Sequence, residues 1–292
     1  MRVTGNRMID VAALNTANNQ SKVSEASDQV TSGLRVSKPS DDPTAYMAAQ
    51  RASARMKLSE GATAALNNGK ERLELSDGAL AGIGGALDSM REIATQGANS
   101  TYGANDRKDM ATQVRALFTA ALGSANTQAA DGEYVLAGTS STTSPFDASG
   151  TYVGNGTDRN LATTEIDSTG SLIVGSNLTA ASGVDVLPLF NKIADALDAN
   201  DMDTVHNLLG DVNTAVQQVG LSRTRTGGAL NIMQSAISAH ADLDLHLKAT
   251  ITDNVESDVI AAASNLAKAS TAFEASKTVT SHLMSILDPR QS

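Results

Sequence analysis

Residues 32–45 read SGLRVSKPSDDPTA, and this stretch separates two predicted helices. Pro39 and Pro43 interrupt helix formation, because proline lacks a backbone N–H and clashes with the preceding turn. Asp41 or Asp42 can cap the helix that follows, with Pro43 in its first turn. The stretch therefore predicts a turn between two helices.

The residues before this turn form one narrow stripe in which the spacing alternates between three and four residues. This spacing is the heptad pattern of a coiled coil. Thr16 and Asn19 are polar members that weaken the stripe and are of the type that can set the register of a helix pair. The stripe comprises Ile9, Ala12, Thr16, Asn19, Val23, Ala26, Val30 and Gly33.

A second stripe with the same spacing lies near the C-terminal end, and most of its members are apolar. It comprises Val259, Ala262, Leu266, Ala269, Phe273, Ser276, Thr280, Leu283 and Leu287. Isolated helices of this kind are marginal in water, so each stripe needs a partner. Two alternatives remain open: the stripes pair only with each other within one chain, or they also pack against neighbouring copies.

Proline and glycine divide the rest of the chain. The five prolines leave two long windows, residues 44–144 and residues 189–288, without any proline. Such windows permit long helices, because proline is the residue that most strongly breaks a helix interior. Between them, residues 131–188 are rich in Gly, Ser and Thr and contain short β-prone runs.

These observations predict a mainly α protein with a small β-rich insertion. Its body is expected to be an elongated antiparallel helical bundle. The predicted parts are an N-terminal assembly helix and turn, a first helical arm, an exposed β-rich insertion, a second helical arm and a C-terminal assembly helix. They correspond to residues 1–44, 45–130, 131–188, 189–250 and 251–292.

Charge and composition exclude several classes of function. The net charge is -10, and an acidic middle segment with few basic residues does not suit the phosphates of nucleic acid. The chain has no cysteine, which excludes disulfides, cysteine-bound metals and thiol catalysis. The sequence has no apolar run long enough to span a membrane and no cleavable signal peptide, so we expect no membrane partner and no cleaved signal.

The histidines offer only a weak metal pattern. On a helix, His240 and Asp244 share one face, whereas Asp242 and His246 share another. Zinc requires three or four converging ligands, so a solvated helix face is the better interpretation. The sequence also lacks nucleophile-elbow, phosphate-loop and metalloprotease motifs. We therefore predict a structural protein, not an enzyme, without a catalytic site, metal or cofactor.

Three segments together resemble the flagellin family. The turn at 32–45 matches the family signature through Arg35, Pro39, Ser40, Asp41, Asp42 and Pro43. Residues 90–101, MREIATQGANST, resemble the family segment at the first helix break. Residues 131–139, DGEYVLAGT, followed by Pro145-Phe146, are similar to the members of the family that join hook and filament. Ile286-Leu287-Asp288 resembles their ending, whereas the tail at 289–292 departs from it.

The resemblance implies a structural adaptor that joins the hook-side junction ring to the flagellin filament, with terminal helices that form coiled coils on assembly. The implied partners are other copies of the chain in a ring, flagellin, the preceding hook-associated junction protein and an export chaperone at the C-terminal region. The implied location is the extracellular flagellum, reached without a cleaved signal. The assembly seams are expected to include Ile9, Val23, Ala26, Val30, Val259, Leu266, Phe273, Leu283 and Leu287. A short filament-forming flagellin is the first alternative, and a helical translocator or adhesin of a secretion system is the second.

Overall fold

A computed structural model describes residues 2–138, 141–154, 159–161, 170–172 and 175–287. Long α-helices dominate these residues, which confirms the predicted mainly α fold. Among the described helices, none contains an apolar stretch that could span a lipid bilayer. In chain order the helices are α1 (Arg2–Ser32), α2 (Pro43–Gly97), α3 (Ala104–Ala125), α4 (Val186–Asp198), α5 (Met202–Val255) and α6 (Val259–Leu287).

The chain divides into two compact units, each with its own internal packing. One unit contains residues 1–58 and 242–292, and the other contains residues 59–241. Both α2 and α5 contribute residues to each unit. The α5 helix is continuous through residues 220–228, although this stretch contains three glycines and has weak helix propensity.

The larger unit, residues 59–241, has its main core where α2, α3, α4 and α5 supply apolar side chains. Buried residues on α2 recur every three or four positions, so one face of that helix enters the core. Eight of the 13 residues of α4 are apolar and buried, and the helix packs against α3. The largest fully buried members of this core include Leu80, Ile83, Leu87, Met90, Leu187, Phe190 and Ile193.

A second, smaller cluster in the same unit joins Leu66 and Leu73 to Met233. Beyond it, the Nδ1 atom of the fully buried His240 forms a 2.8 Å hydrogen bond with the Ser59 hydroxyl. The interpretation of this histidine as part of a solvated helix face is therefore wrong. The side chain turns inward because α2 and α5 pack closely enough here to cover it.

The break between α2 and α3 lies where the sequence predicts it. The Asp106 carboxylate accepts a 2.9 Å hydrogen bond from the Gly103 N–H, which fixes the start of α3. The buried Arg107 guanidinium donates to the Gly97 and Asn99 carbonyls, both at 2.8 Å. The bond to Gly97 provides a partner for a carbonyl that the end of α2 leaves without a helical one, and the bond to Asn99 holds the connecting turn.

The segment at 131–188 is mainly turns in its described part. Two strands, β1 (Arg159–Leu161) and β2 (Gly170–Leu172), pair antiparallel. Two short 3-10 helices follow at Gly175–Leu178 and Ala180–Ser182, and α4 begins at Val186, inside the predicted insertion. Sixteen residues of the segment lie outside the described residues, and a β-rich insertion stays a prediction.

Candidate assembly surface

The helices α1 and α6 pack against each other in the smaller unit. They are antiparallel, because Thr16 near the middle of α1 meets Thr280 late in α6, while Gly33 after α1 accepts a 2.8 Å hydrogen bond from Ser257 before α6. The two predicted stripes therefore do pair within one chain.

The predicted stripe positions are the ones that this pairing covers. On α1 every stripe residue from Ile9 to Val30 is partly or fully buried, and most positions between them are exposed. On α6 the same holds from Ala262 to Leu283. The covered members of the predicted assembly set are Ile9, Val23, Ala26, Val30, Leu266, Phe273 and Leu283.

Two members of that set do not join the seam. Val259 begins α6 and is 60% exposed, because the chain enters the helix here before the two helices meet. The side chain of Leu287 lies outside the described residues, as do Asp288 and the tail at 289–292. Their part in assembly stays a prediction.

Polar residues interrupt the seam near its middle and bind one another across it. The hydroxyls of Thr16 and Thr280 lie 3.0 Å apart. The Asn19 amide donates to the Ser276 hydroxyl at 2.8 Å and to the Ala272 carbonyl at 3.4 Å. We call Thr16, Asn19, Ser276 and Thr280 the polar layer. The polar members of the two stripes thus bind one another within a single chain.

An apolar groove lies beside the seam, and the sequence patterns did not single it out. Its exposed side chains include Met8 on α1, which is 61% exposed, and Val11 and Val279, each 57% exposed. The groove has a volume of about 720 Å³. In the sequence, the groove could have been predicted from Met8, Val11 and Val279, apolar residues that each come one position before a stripe residue.

The turn after α1 is anchored to the segment before α6. Gly33 ends α1 with a φ of +69°, a conformation that glycine adopts without the steric cost of a Cβ. The Arg35 N–H donates to the Val255 carbonyl at 2.7 Å, and its guanidinium donates to the Asn254 carbonyl at 2.7 Å. Arg35 therefore fixes where the two chain segments meet.

Asp41 and Asp42 bind different parts of the backbone around the turn. The Asp41 carboxylate accepts the N–H groups of Ser37 and Lys38, each at 3.0 Å, and these bonds lower the pKa of Asp41 from its ordinary 3.8. It therefore closes the turn on itself. Pro39 and Ser40 lie exposed inside the loop that this carboxylate closes.

Asp42 caps α2. Its Oδ1 accepts the N–H of Ala45 at 3.0 Å and that of Thr44 at 3.1 Å. The bond from Ala45 is the largest cause that lowers the pKa of Asp42, with Arg35 contributing through a 3.5 Å ion pair. Pro43 follows as the first residue of α2, where its missing N–H costs nothing. The capping role left open between the two aspartates thus belongs to Asp42.

The amino-acid sequence of the chain is similar to those of known flagellar proteins. Residues 3–141 match the bacterial flagellin N-terminal helical region. The chain is 25% identical to flagellar hook-associated protein 3 of Escherichia coli K12 over an alignment of 303 residues, which covers 94% of this chain and 95% of that protein. The chain is thus similar to flagellar hook-associated protein 3 over most of its length. The Salmonella typhimurium protein of that name is 26% identical over 219 residues, covering 74% of this chain and 66% of that protein.

Solved structures of relatives share the fold. The structure of Xanthomonas campestris FlgL gives a TM-score of 0.61 at 20% identity, covering 70% of this chain and 99% of that one. The flagellar junction protein FlgL of Legionella pneumophila gives a TM-score of 0.58 at 18% identity, covering 72% of this chain and all of that one. At these identities the structures support the fold of the chain.

The described residues show no arrangement of the kind that holds a metal ion. Within those ranges, no group of three or more His, Cys, Asp or Glu side chains converges. The features that stand out on the α1–α6 pair are packing surfaces and backbone anchors. They suit an interaction between proteins.

Proposed function

We propose that this chain is a structural adaptor of the bacterial flagellum that joins the hook-side junction ring to the flagellin filament. The observation that carries the proposal is the likeness to hook-associated protein 3 over 94% of the chain. Its partners are further copies of itself in a ring, flagellin and the preceding hook-associated junction protein. No step in this role requires nucleic acid, a membrane or a cofactor.

The apolar groove beside the seam supports an assembly role. Contiguous apolar surface of this kind usually marks a site that another molecule covers. Met8, Val11 and Val279 remain exposed although α1 and α6 are already paired. We assign the groove to neighbouring subunits, so that the seam holds the chain together and the groove holds it in the assembly.

Before assembly, the same surface needs protection from aggregation. We infer that an export chaperone binds within about residues 250–292, and that the chain reaches the extracellular flagellum without a cleaved signal. Calorimetry should show that removal of this segment abolishes chaperone binding. Unchanged affinity would place the chaperone site elsewhere.

The groove can be tested without breaking the seam. Val11→Asp combined with Val279→Asp places charges where the isolated chain already exposes both side chains. The variant should keep its helical circular dichroism but should not support filament assembly. Burying an unpaired charge in an interface costs several kcal/mol of binding free energy. The cells should export flagellin into the medium and lack filaments.

A matched control uses exposed polar positions on the same two helices. Asn18→Asp with Ser281→Asp adds the same charge outside the groove. This control should leave filaments at normal length. Full-length filaments on the Val11/Val279 variant would refute the role of the groove.

The position of the protein separates the proposal from its two alternatives. Immunogold labelling of isolated hook–filament structures should mark a short band at the junction. Label along the whole filament would indicate a short filament-forming flagellin. Label away from flagella would indicate a translocator or adhesin of a secretion system.

A further inference from the structure

The two apolar clusters of the larger unit are separated by buried polar side chains. On α2, Leu73 belongs to the smaller cluster and Leu80 to the main core, and the fully buried Ser76 lies between them. On α5, the buried Ser222 and Thr226 lie between the same two clusters. We call Ser76, Ser222 and Thr226 the joint.

In the described part of the chain, the hydroxyls of the joint form no bond from one helix to the other. Ser222 donates to the Gln218 carbonyl at 3.0 Å and Thr226 donates to the Ser222 carbonyl at 3.1 Å, both within α5. The Ser76 Oγ has no hydrogen-bond partner among the described residues. Hydroxyl bonds to a carbonyl one turn earlier often bend a helix, and a buried hydroxyl without a partner is destabilising. The joint therefore holds α2 and α5 together less firmly than the apolar clusters on either side.

The helix backbone is also weakened at this level. Gly78 follows Ser76 on α2, and Gly220 precedes Ser222 on α5. A Cβ built at either glycine would meet no packing neighbour within 4 Å, so close packing within the chain does not require glycine there. Glycine in a helix interior lowers helix stability relative to alanine. Both helices thus lose rigidity where their buried contacts are weakest.

An ion pair at the surface connects the two helices beside the joint. The Arg223 guanidinium donates to both carboxylate oxygens of Asp77, at 2.9 and 3.1 Å. Both side chains are partly exposed, and exposed ion pairs contribute little to stability. This contact therefore does not replace apolar packing inside the joint.

We propose that the joint lets residues 59–75 of α2 and 227–241 of α5 open and move independently of the main core. We call these residues the distal segment. The large side chains that hold it are chiefly Leu66, Leu73 and Met233, whereas four helices supply the main core. A small apolar cluster that polar groups separate from a larger one is expected to open as a cooperative unit of lower stability.

Such a joint suits a structural adaptor, and this consequence rests on the proposed function. An adaptor contacts a junction ring on one side and a filament on the other, so one fold must fit two different neighbours. Movement at the joint lets the distal segment adjust to a neighbour while the main core keeps its packing.

Amide hydrogen exchange of the isolated full-length chain tests the joint directly. The distal segment and the main core both belong to the larger unit, so the comparison does not require α1 and α6 to be folded. We expect one step in protection at the joint, with the distal amides exchanging together and at least about tenfold faster than those of residues 80–94. Equal protection on both sides would overturn the proposal, as would a gradual decline from residues 59 and 241 inward, which indicates fraying.

The test variant makes the joint apolar with little change in size: Ser76→Ala, Ser222→Ala and Thr226→Val. Without the hydroxyls the two apolar clusters become continuous, so the ratio of distal to main-core exchange rates should fall about tenfold. An unchanged ratio would overturn the proposal.

The matched control makes the same three changes at exposed positions of the same helices: Ser89→Ala, Thr224→Val and Ser238→Ala. The hydroxyls of Thr224 and Ser238 donate to carbonyls of α5, as those of Ser222 and Thr226 do. This control should change the ratio by no more than about twofold. A tenfold effect here would show that helix propensity sets the ratio and would count against the joint.

A second variant tests the backbone without altering any buried side chain. Gly78→Ala with Gly220→Ala adds a Cβ in open space at the joint, and should slow distal exchange about fivefold through the better helix propensity of alanine. Gly210→Ala has equally open surroundings but lies in the main-core part of α5, and should leave distal exchange unchanged. Equal effects of the two changes would mean that both parts unfold together, contrary to the proposal.

The exchange experiment and the localisation experiment can fail separately. If the distal amides respond as expected but the immunogold label lies away from flagella, the joint stands and the adaptor role fails. If the label marks the junction but exchange shows no step, the adaptor role stands and the joint fails.

Discussion

Gln218 offers a sharp test of how the middle segment is held to the larger unit. This nearly buried residue of α5 accepts a 3.0 Å hydrogen bond from the Val184 N–H through its Oε1. Its Nε2 lies within hydrogen-bond distance of the carbonyls of Asn177, Thr179 and Val184, at 2.7, 3.1 and 3.2 Å. One side chain thus binds the backbone that leads into α4.

The cost of removing this amide follows from the bonds it can make at one time. Nε2 carries two hydrogens, so with the accepted bond the side chain makes about three hydrogen bonds at once. Each such bond contributes about 0.5–1.5 kcal/mol, and backbone groups left buried without partners add to the loss. Gln218→Leu should therefore destabilise the larger unit by about 2–4 kcal/mol, because the apolar leucine offsets only a part of it.

The assay combines urea unfolding with amide hydrogen exchange. The unfolding free energy should fall by the stated amount, and the Val184 amide should lose protection before the amides of α2 do. Gln217→Leu is the control, because Gln217 lies next to Gln218 on α5 and its side chain is exposed. A loss below about 0.5 kcal/mol, or equal losses in the two variants, would refute the reasoning, since an exposed substitution normally changes stability by no more than that.

Three further predictions concern other sites. Ser59→Ala should cost about 1–3 kcal/mol in urea unfolding, because it leaves the buried His240 without its hydrogen-bond partner, and adding His240→Leu should recover part of the loss. Leu73→Ala should cost about 2–5 kcal/mol, whereas Leu221→Ala, at a side chain 54% exposed, should change the same free energy little. Because the pKa of Asp41 is lowered in the folded turn, its bonds should stabilise the turn above pH 3.8 and be lost as the pH falls through the lowered value; amide exchange of the turn should show this opening, and Asp41→Asn should remove its pH dependence.

The helix pairing could be predicted from the sequence because its signal is local and periodic. The alternation of three and four residues identified the covered face of α1 and most of that of α6. The pattern alone could not exclude Val259, because a residue just inside a helix has the same spacing whether or not its partner helix extends that far. It also could not show that Asn19 finds Ser276, since that bond depends on alignment between distant segments.

The structure of the middle segment, residues 131–188, could not be predicted from the sequence in the same way. Short runs of β-prone residues suggested strands, yet the described residues around Tyr134 and Tyr152 form only isolated bridges. Strand formation depends on a partner strand and on tertiary packing, so propensity over three residues decides little. The inward position of His240 was hidden for a similar reason, because an exposed and a buried polar residue look the same in a helical pattern.

Local sequence was enough to predict long helices, the turn at 32–45, the break before α3 and the likeness to the flagellin family. Each of these depends on neighbouring residues through helix periodicity, proline geometry or capping. Only the folded chain shows which of the two adjacent aspartates caps α2, although that contact is local, because either carboxylate could reach the first turn. How the polar layer is bonded and where an apolar groove remains open depend on residues far apart in the chain. The bonds of the polar layer need those residues to meet at about 3 Å, the length of a hydrogen bond, and local sequence does not encode such distances.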